Sequence, residues 1–165
     1  MNCLVAMRHV AYYKHVRVGY KLLYLRWLIR YKKLSVKLGF SIGPDVFGYG
    51  LVIPHYGTIV VGGSNQIGNY AVLHTSTCIV DKSSKIGDGL YLSTGAIISN
   101  RVELGVNVTV GANCTVNKSL AQSNVLLVGS PAEVKKESDA WYIRDSETFR
   151  KRIAEIEQLK KTVAF

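Results

Sequence analysis

Residues 86–120 read IGDGLYLSTGAIISNRVELGVNVTVGANCTVNKSL, and their spacing decides the fold. Aliphatic side chains recur every six places at Ile86, Leu92, Ile98, Leu104, Val110 and Val116. Each is followed by a small or turn-forming residue, at Gly87, Ser93, Ser99, Gly105, Gly111 and Asn117. A further small or apolar residue falls four places after each aliphatic, at Leu90, Ala96, Val102, Val108, Cys114 and Leu120. An amphipathic helix repeats every 3.6 residues and a half-buried strand every two, so neither accounts for a period of six. A solenoid of very short strands does: each aliphatic points into a narrow core, and the small residues let the chain turn between flat faces. Cys114 then fills a small inward position as an apolar residue, not as a reactive thiol.

The same frame continues upstream through Val61, Ile67, Leu73 and Ile79, with a one-residue insertion near Lys85 between the two runs. It dissolves before Val61. At either end the pattern turns helical. Residues 11–38 contain few helix breakers and mix Tyr12, Tyr13, Tyr20, Tyr24, Trp27 and Tyr31 with basic and aliphatic side chains, which predicts a helix. Near the C-terminus Ser146 is placed to cap a helix running to about Thr162, with Phe149, Ile153, Ile156 and Val163 on one face. That face is expected to pack along the prism or against a neighbouring subunit. The organisation expected is thus a helical arm over 1–39, a solenoid over 40–136 and a helical extension over 137–165.

With 165 residues the chain is long enough for one domain with appendages. Lys or Arg interrupts every apolar run short of the roughly 20 residues that cross a bilayer. The N-terminus lacks the features of a secretory signal, and Cys3, Cys78 and Cys114 form neither an even set nor a metal-type spacing. A reducing cytoplasmic setting is expected. The net charge of +10 is uneven: nine of the 21 Lys and Arg side chains lie before residue 45, where there is no acid. The rest of the chain holds twelve basic against eleven acidic residues. Basic side chains interleaved with aromatic rings settle at membrane interfaces, so the arm is expected to touch the inner face of a membrane or to pack on the prism with its charges in water.

The hexads resemble the left-handed parallel β-helix of the hexapeptide-repeat acyltransferases, in which three hexads make one coil of a triangular prism. Within that superfamily the segment 41–69, SIGPDVFGYGLVIPHYGTIVVGGSNQIGN, is similar to the core of serine acetyltransferases and of relatives that acetylate cell-surface polysaccharides. KLGFSIGP (37–44), PHYGTIVV (54–61) and LLVGSPAEVKK (126–136) follow in the order of that family. The resemblance implies an acetyl-CoA-dependent O-acetyltransferase that works as a homotrimer, with active sites in the clefts between prisms.

On this resemblance His55 stands at the position of the catalytic base. A hydroxyl is a poor nucleophile at neutral pH, and an imidazole can take its proton as it attacks the thioester. His74 replaces the small residue expected after Leu73 and lies 19 residues from His55, which stacks the two on neighbouring coils of one edge. The family's orienting aspartate is matched by Ser41, with Asp45 close enough in sequence to substitute, and its second histidine is matched by Ser83 in a shorter loop. Both departures disfavour serine as acceptor, and the shorter loop leaves a more open cleft that suits a bulkier glycan. For the donor, the resemblance points to Gly111 and Ala112, to the loop Gly129, Ser130, Pro131 and Ala132, and to Lys118, Lys135 and Lys136 for the coenzyme's phosphates.

Three other readings compete, the first within the same class. A serine O-acetyltransferase shares most of the motifs. A zinc hydratase on the same prism needs three imidazoles, and His9 and His15 lie in the basic arm, so no metal is expected. A non-catalytic scaffold or nucleic-acid binder is permitted by the arm alone, but no nucleic-acid motif is present.

Overall fold

The structure is a computed structural model that describes residues 2–16 and 20–162. Its body is a parallel β-solenoid of about five turns, with a helical region before it and a helix after it. The first sheet stacks β1 (Phe40–Ile42), β2 (Ile59–Val61), β5 (Thr77–Ile79), β8 (Ile97–Ile98) and β11 (Thr115–Val116). The second stacks β3 (Gln66–Ile67), β6 (Lys85–Ile86) and β9 (Glu103–Leu104). The third stacks β4 (Val72–Leu73), β7 (Tyr91–Leu92), β10 (Thr109–Val110) and β12 (Val125–Val128), which β13 (Glu133–Glu137) closes antiparallel.

Every aliphatic of the six-residue frame from Val61 to Val116 is buried, as are Leu90, Ala96, Val102, Val108 and Cys114. The side-chain alternation of a strand explains the pattern: in β3, β6, β8 and β9 the first residue is exposed and the second buried. Burial pushes the Cys114 thiol up, as expected of a packing residue. The insertion near Lys85 is absorbed at one corner. There the fully buried Ser84 hydroxyl donates to the Ser99 carbonyl at 3.3 Å and accepts the Val102 N–H at 3.1 Å, repairing the ladder.

The first coil, where the frame dissolves, is nevertheless built. Phe40–Ile42 pairs with Ile59–Val61, and Phe47 and Val52 bridge to Ile67 and Val72. Seven residue steps separate Val52 from Ile59, against five from Val72 to Thr77 in the coil above. The turn carrying His55 is therefore two residues longer than its counterpart, and those residues break the sequence period.

The arm corrects the expectation of one helix over 11–38. Two helices form, α1 (Asn2–His15) and α2 (Lys21–Leu38), packed on each other and on the prism. Cys3, Ala6, Met7 and Val10 follow helical spacing and bury one face of α1, while Tyr31 and Ser35 do so on α2. His9 stacks on Trp27 with ring centroids 3.9 Å apart. The apolar residues of the arm formed no single stripe in sequence because they serve two helices. At the other end α3 (Trp141–Arg144) precedes α4 (Glu147–Thr162), which starts directly after Ser146 as expected. Val163, assigned to its apolar face, lies outside the described residues. Phe149 and Ile153 pack with Trp141 on Tyr70 and Val72, so this face does lie along the prism.

Candidate active site at one edge of the prism

The edge where the chain passes from the third sheet to the first gathers most of the predicted residues. His55 lies there in the first coil and His74 in the second, with ring centroids 6.4 Å apart and planes tilted by 45°. Gly111 and Ala112 follow in the fourth coil between β10 and β11, and Gly129–Ala132 follows β12 in the fifth. The Thr115 N–H donates to the Gly129 carbonyl at 3.0 Å and the Ala132 N–H to the Thr115 carbonyl at 2.9 Å, which stacks the last loop on the turn below. A Cβ at Gly111 would sit 3.0 Å from the Leu127 carbonyl oxygen, a tight contact that favours glycine at this turn. From His55 to that loop is four coils, roughly 19 Å along the edge.

The His55 turn is held from behind by the arm. The Gly57 N–H donates to the Leu38 carbonyl at 2.9 Å and the Ile59 N–H to the Gly39 carbonyl at 3.1 Å. Gly39 ends α2 in the left-handed conformation at φ 80°, and a side chain there would meet the Gly57 carbonyl at 2.8 Å. The His55 imidazole itself is exposed and makes no hydrogen bond among the described residues.

His74 is held more tightly. Leu73 points inward, so His74 turns out of the core onto the edge, where its Nε2 lies 2.8 Å from the Tyr91 hydroxyl. Burial, and secondarily the charge of His55, lowers its pKa, which keeps it neutral near pH 7. Burial raises that of Tyr91, Asp145 adding to the rise and Arg144 offsetting it. The His74–Tyr91 bond therefore joins two neutral groups. The Arg144 guanidinium sits 5.5 Å from the Tyr91 ring centre, donates to Thr109 Oγ1 at 3.2 Å and to Ser138 Oγ at 2.8 Å, and pairs with Asp145 at 2.6 Å. Sequence reasoning missed Tyr91, Arg144 and Asp145. Tyr91 was in principle visible as an aromatic residue at an outward position one coil from His74. Arg144 and Asp145 carry no repeat signal.

Two predicted groups lie elsewhere on the chain. Asp45 sits at the edge between the first and second sheets, bonded to Lys14 Nζ at 2.5 Å and 3.4 Å from His15 Nε2, and within one chain it is not joined to His55. Lys118 lies on that same edge in the last coil, just after β11. Lys135 and Lys136 are exposed on β13, at the end of the third sheet. A concavity of about 590 Å³ lined by Asp45, Phe47, Gln66, Lys85 and Glu103 lies against the second sheet, away from His55. Among the described residues no three His, Cys, Asp or Glu side chains are grouped to hold a metal ion, and no helix is long and apolar enough to cross a membrane.

No family model and no curated protein matches the chain. Solved structures do. The serine acetyltransferase of Neisseria gonorrhoeae superposes with a TM-score of 0.66 at 24% identity, covering 88% of this chain and 58% of that one. The chain shares the fold of the serine acetyltransferases. The gonococcal enzyme in complex with serine gives 0.61 at 26% identity over 79% and 54% of the two chains. The Brucella abortus enzyme in complex with coenzyme A gives 0.64 at 22% over 83% and 56%. The present chain thus spans a little over half the length of these proteins.

Proposed function

We propose that the protein is an acetyl-CoA-dependent O-acetyltransferase whose acceptor is a sugar hydroxyl of a cell-surface polysaccharide precursor. The observation that carries this reading is the single edge with an exposed imidazole at one end and the Gly111 turn and the Gly129–Ala132 loop at the other. Acetyl-CoA would lie along the edge with its thioester toward His55 and its pantetheine arm beside Gly111, Ala112 and Gly129–Ala132. Lys118, Lys135 or Lys136 would meet its phosphates, from the same or a neighbouring copy. His55 would accept the proton of the acceptor hydroxyl as its oxygen attacks the thioester carbonyl. The thiolate of coenzyme A would then leave with that proton, giving an acetyl ester and a free thiol. His74, neutral and held by Tyr91, is suited to hydrogen-bond the acceptor.

The open surroundings of His55 within one chain support a homotrimer with the site completed by the next prism. In such an assembly Asp45 could reach a site only across the interface. Residues 40–136 would supply the chemistry, with 1–39 and 137–165 as supporting segments.

The likeness to a serine-bound acetyltransferase favours a second reading, transfer to free serine. Thiol release from acetyl-CoA, measured with L-serine and with a panel of nucleotide-linked and lipid-linked sugars, separates the two. Saturable turnover with a sugar and little with serine is expected. Efficient turnover of serine alone would replace the polysaccharide assignment, and no thiol release with any acceptor would remove the transferase reading.

A further inference from the structure

We propose that the outward face of α2 is a docking surface for an anionic lipid bilayer. The helix has two apolar faces. One, with Tyr24, Tyr31, Leu38 and the small Ser35, turns toward the core. The other is Leu22, Leu25, Ile29 and Val36, which at spacings of three, four and seven run in one line down the helix, roughly 140° around its axis from the first. These four are 82%, 51%, 49% and 81% exposed, so the ridge has no partner among the described residues. A line of large aliphatic side chains facing water is unfavourable and marks a contact surface.

Charge says what covers it. Lys21 and Lys32 flank the ridge on one side and Arg26, Arg30, Lys33 and Lys37 on the other, all exposed. The helix carries no acid, and none of these six side chains joins an ion pair among the described residues. An apolar line between two rows of unneutralised cations matches the boundary of a bilayer, with acyl chains beneath the ridge and anionic head groups at its sides. A second copy of the chain would instead bring like charges face to face. The end of α2 braces the His55 turn, but no ridge residue takes part in that contact, so docking holds whether or not the transferase reading does.

The test is co-sedimentation of the full chain with phosphatidylcholine vesicles made with and without phosphatidylglycerol, at low and high salt. Two variants are compared: Leu22→Ser with Leu25→Ser, Ile29→Ser and Val36→Ser, and Lys32→Gln with Lys33→Gln and Lys37→Gln. All seven positions are exposed, so both variants should keep the wild-type circular dichroism and thermal transition. The wild type is expected to bind only the anionic vesicles, less so at high salt. Each variant should bind at least about tenfold more weakly, since each basic residue contributes roughly a fivefold factor at low salt. Absence of wild-type binding to anionic vesicles overturns the proposal. So does undiminished binding of the serine variant, which would mean diffuse electrostatics without an inserted ridge. A smaller oligomer in that variant, with vesicle binding unchanged, would reassign the ridge to contact between copies.

Discussion

His74 Nε2 and the Tyr91 hydroxyl, on adjacent coils, are 2.8 Å apart, and both groups are held in their neutral forms. The lowered pKa of His74 makes folding stability depend on pH. Unfolded, the imidazole binds a proton near pH 6.5, whereas folded it does so only at lower pH. Between those points the unfolded chain holds more protons, so stability falls as pH drops below 6.5 toward the folded pKa and is fully present above 6.5. Urea unfolding of wild type and His74→Asn across this range should show a shallower loss in the variant. Identical pH slopes would mean that His74 titrates as it does in water.

Replacing His55 by Ala should lower acetyl transfer roughly 100-fold or more, the scale of a lost general base. The thermal transition and oligomeric size should stay near wild type, because the ring is exposed and contributes nothing to the core. Near-normal turnover would take His55 out of the chemistry.

These two histidines also show how far the sequence could be read. Leu73 sits in the six-residue frame, so the outward turn of His74 followed from counting. The frame is legible because one inward residue per short strand leaves no freedom in register. His55 lies in a turn two residues longer than the one above it, and there counting fails. Only motif resemblance reached it. The outward place of Tyr91 could be counted, but its meeting with Arg144 could not, since that depends on where α3 lands on the third sheet, and no periodicity encodes that. The arm was misread for a related reason: each of its two helices keeps its own apolar face, and no single period runs through both.

Coil stacking predicts which glycines matter. A Cβ at Gly87 would lie 2.7 Å from the Gly105 carbonyl oxygen, a backbone atom that cannot move without shifting the next coil. Gly87→Ala should therefore destabilise the solenoid by about 1–3 kcal/mol. At Gly63, where a Cβ meets nothing within 4 Å, the same change should be nearly neutral. Equal denaturation midpoints for the two variants would contradict this packing.

The thiols give a chemical test of burial. Cys3 and Cys114 are buried with thiols pushed up by desolvation, and Cys78 is half-buried on the outward side of β5. A thiol reagent at neutral pH should label Cys78 alone in the native protein and all three after denaturation. Rapid native labelling of Cys114 would remove it from the core.

The C-terminal helix should detach without unfolding the prism. No side chain of α4 is buried, so its attachment rests on a few points. Trp141, 4% exposed, donates its indole N–H to the Tyr70 carbonyl at 2.8 Å, and Phe149 packs on its ring with centroids 5.1 Å apart. Tyr49 and Tyr70 donate to the Glu157 carboxylate farther along the helix. Truncating Trp141 to Ala leaves a cavity and an orphaned carbonyl, a loss of about 3–5 kcal/mol on the scale of buried aromatic deletions. The cluster around Trp141 is separate from the axial core of the solenoid, so the loss should fall on the extension. Hydrogen exchange of the variant should show α4 unprotected while β5, β8 and β11 keep wild-type protection. Because Arg144 and Asp145 lie on the same short segment as Trp141, their opposed effects on the Tyr91 hydroxyl should disappear at the same time. A uniform loss of protection across the solenoid would mean instead that the extension and the prism fold as one unit.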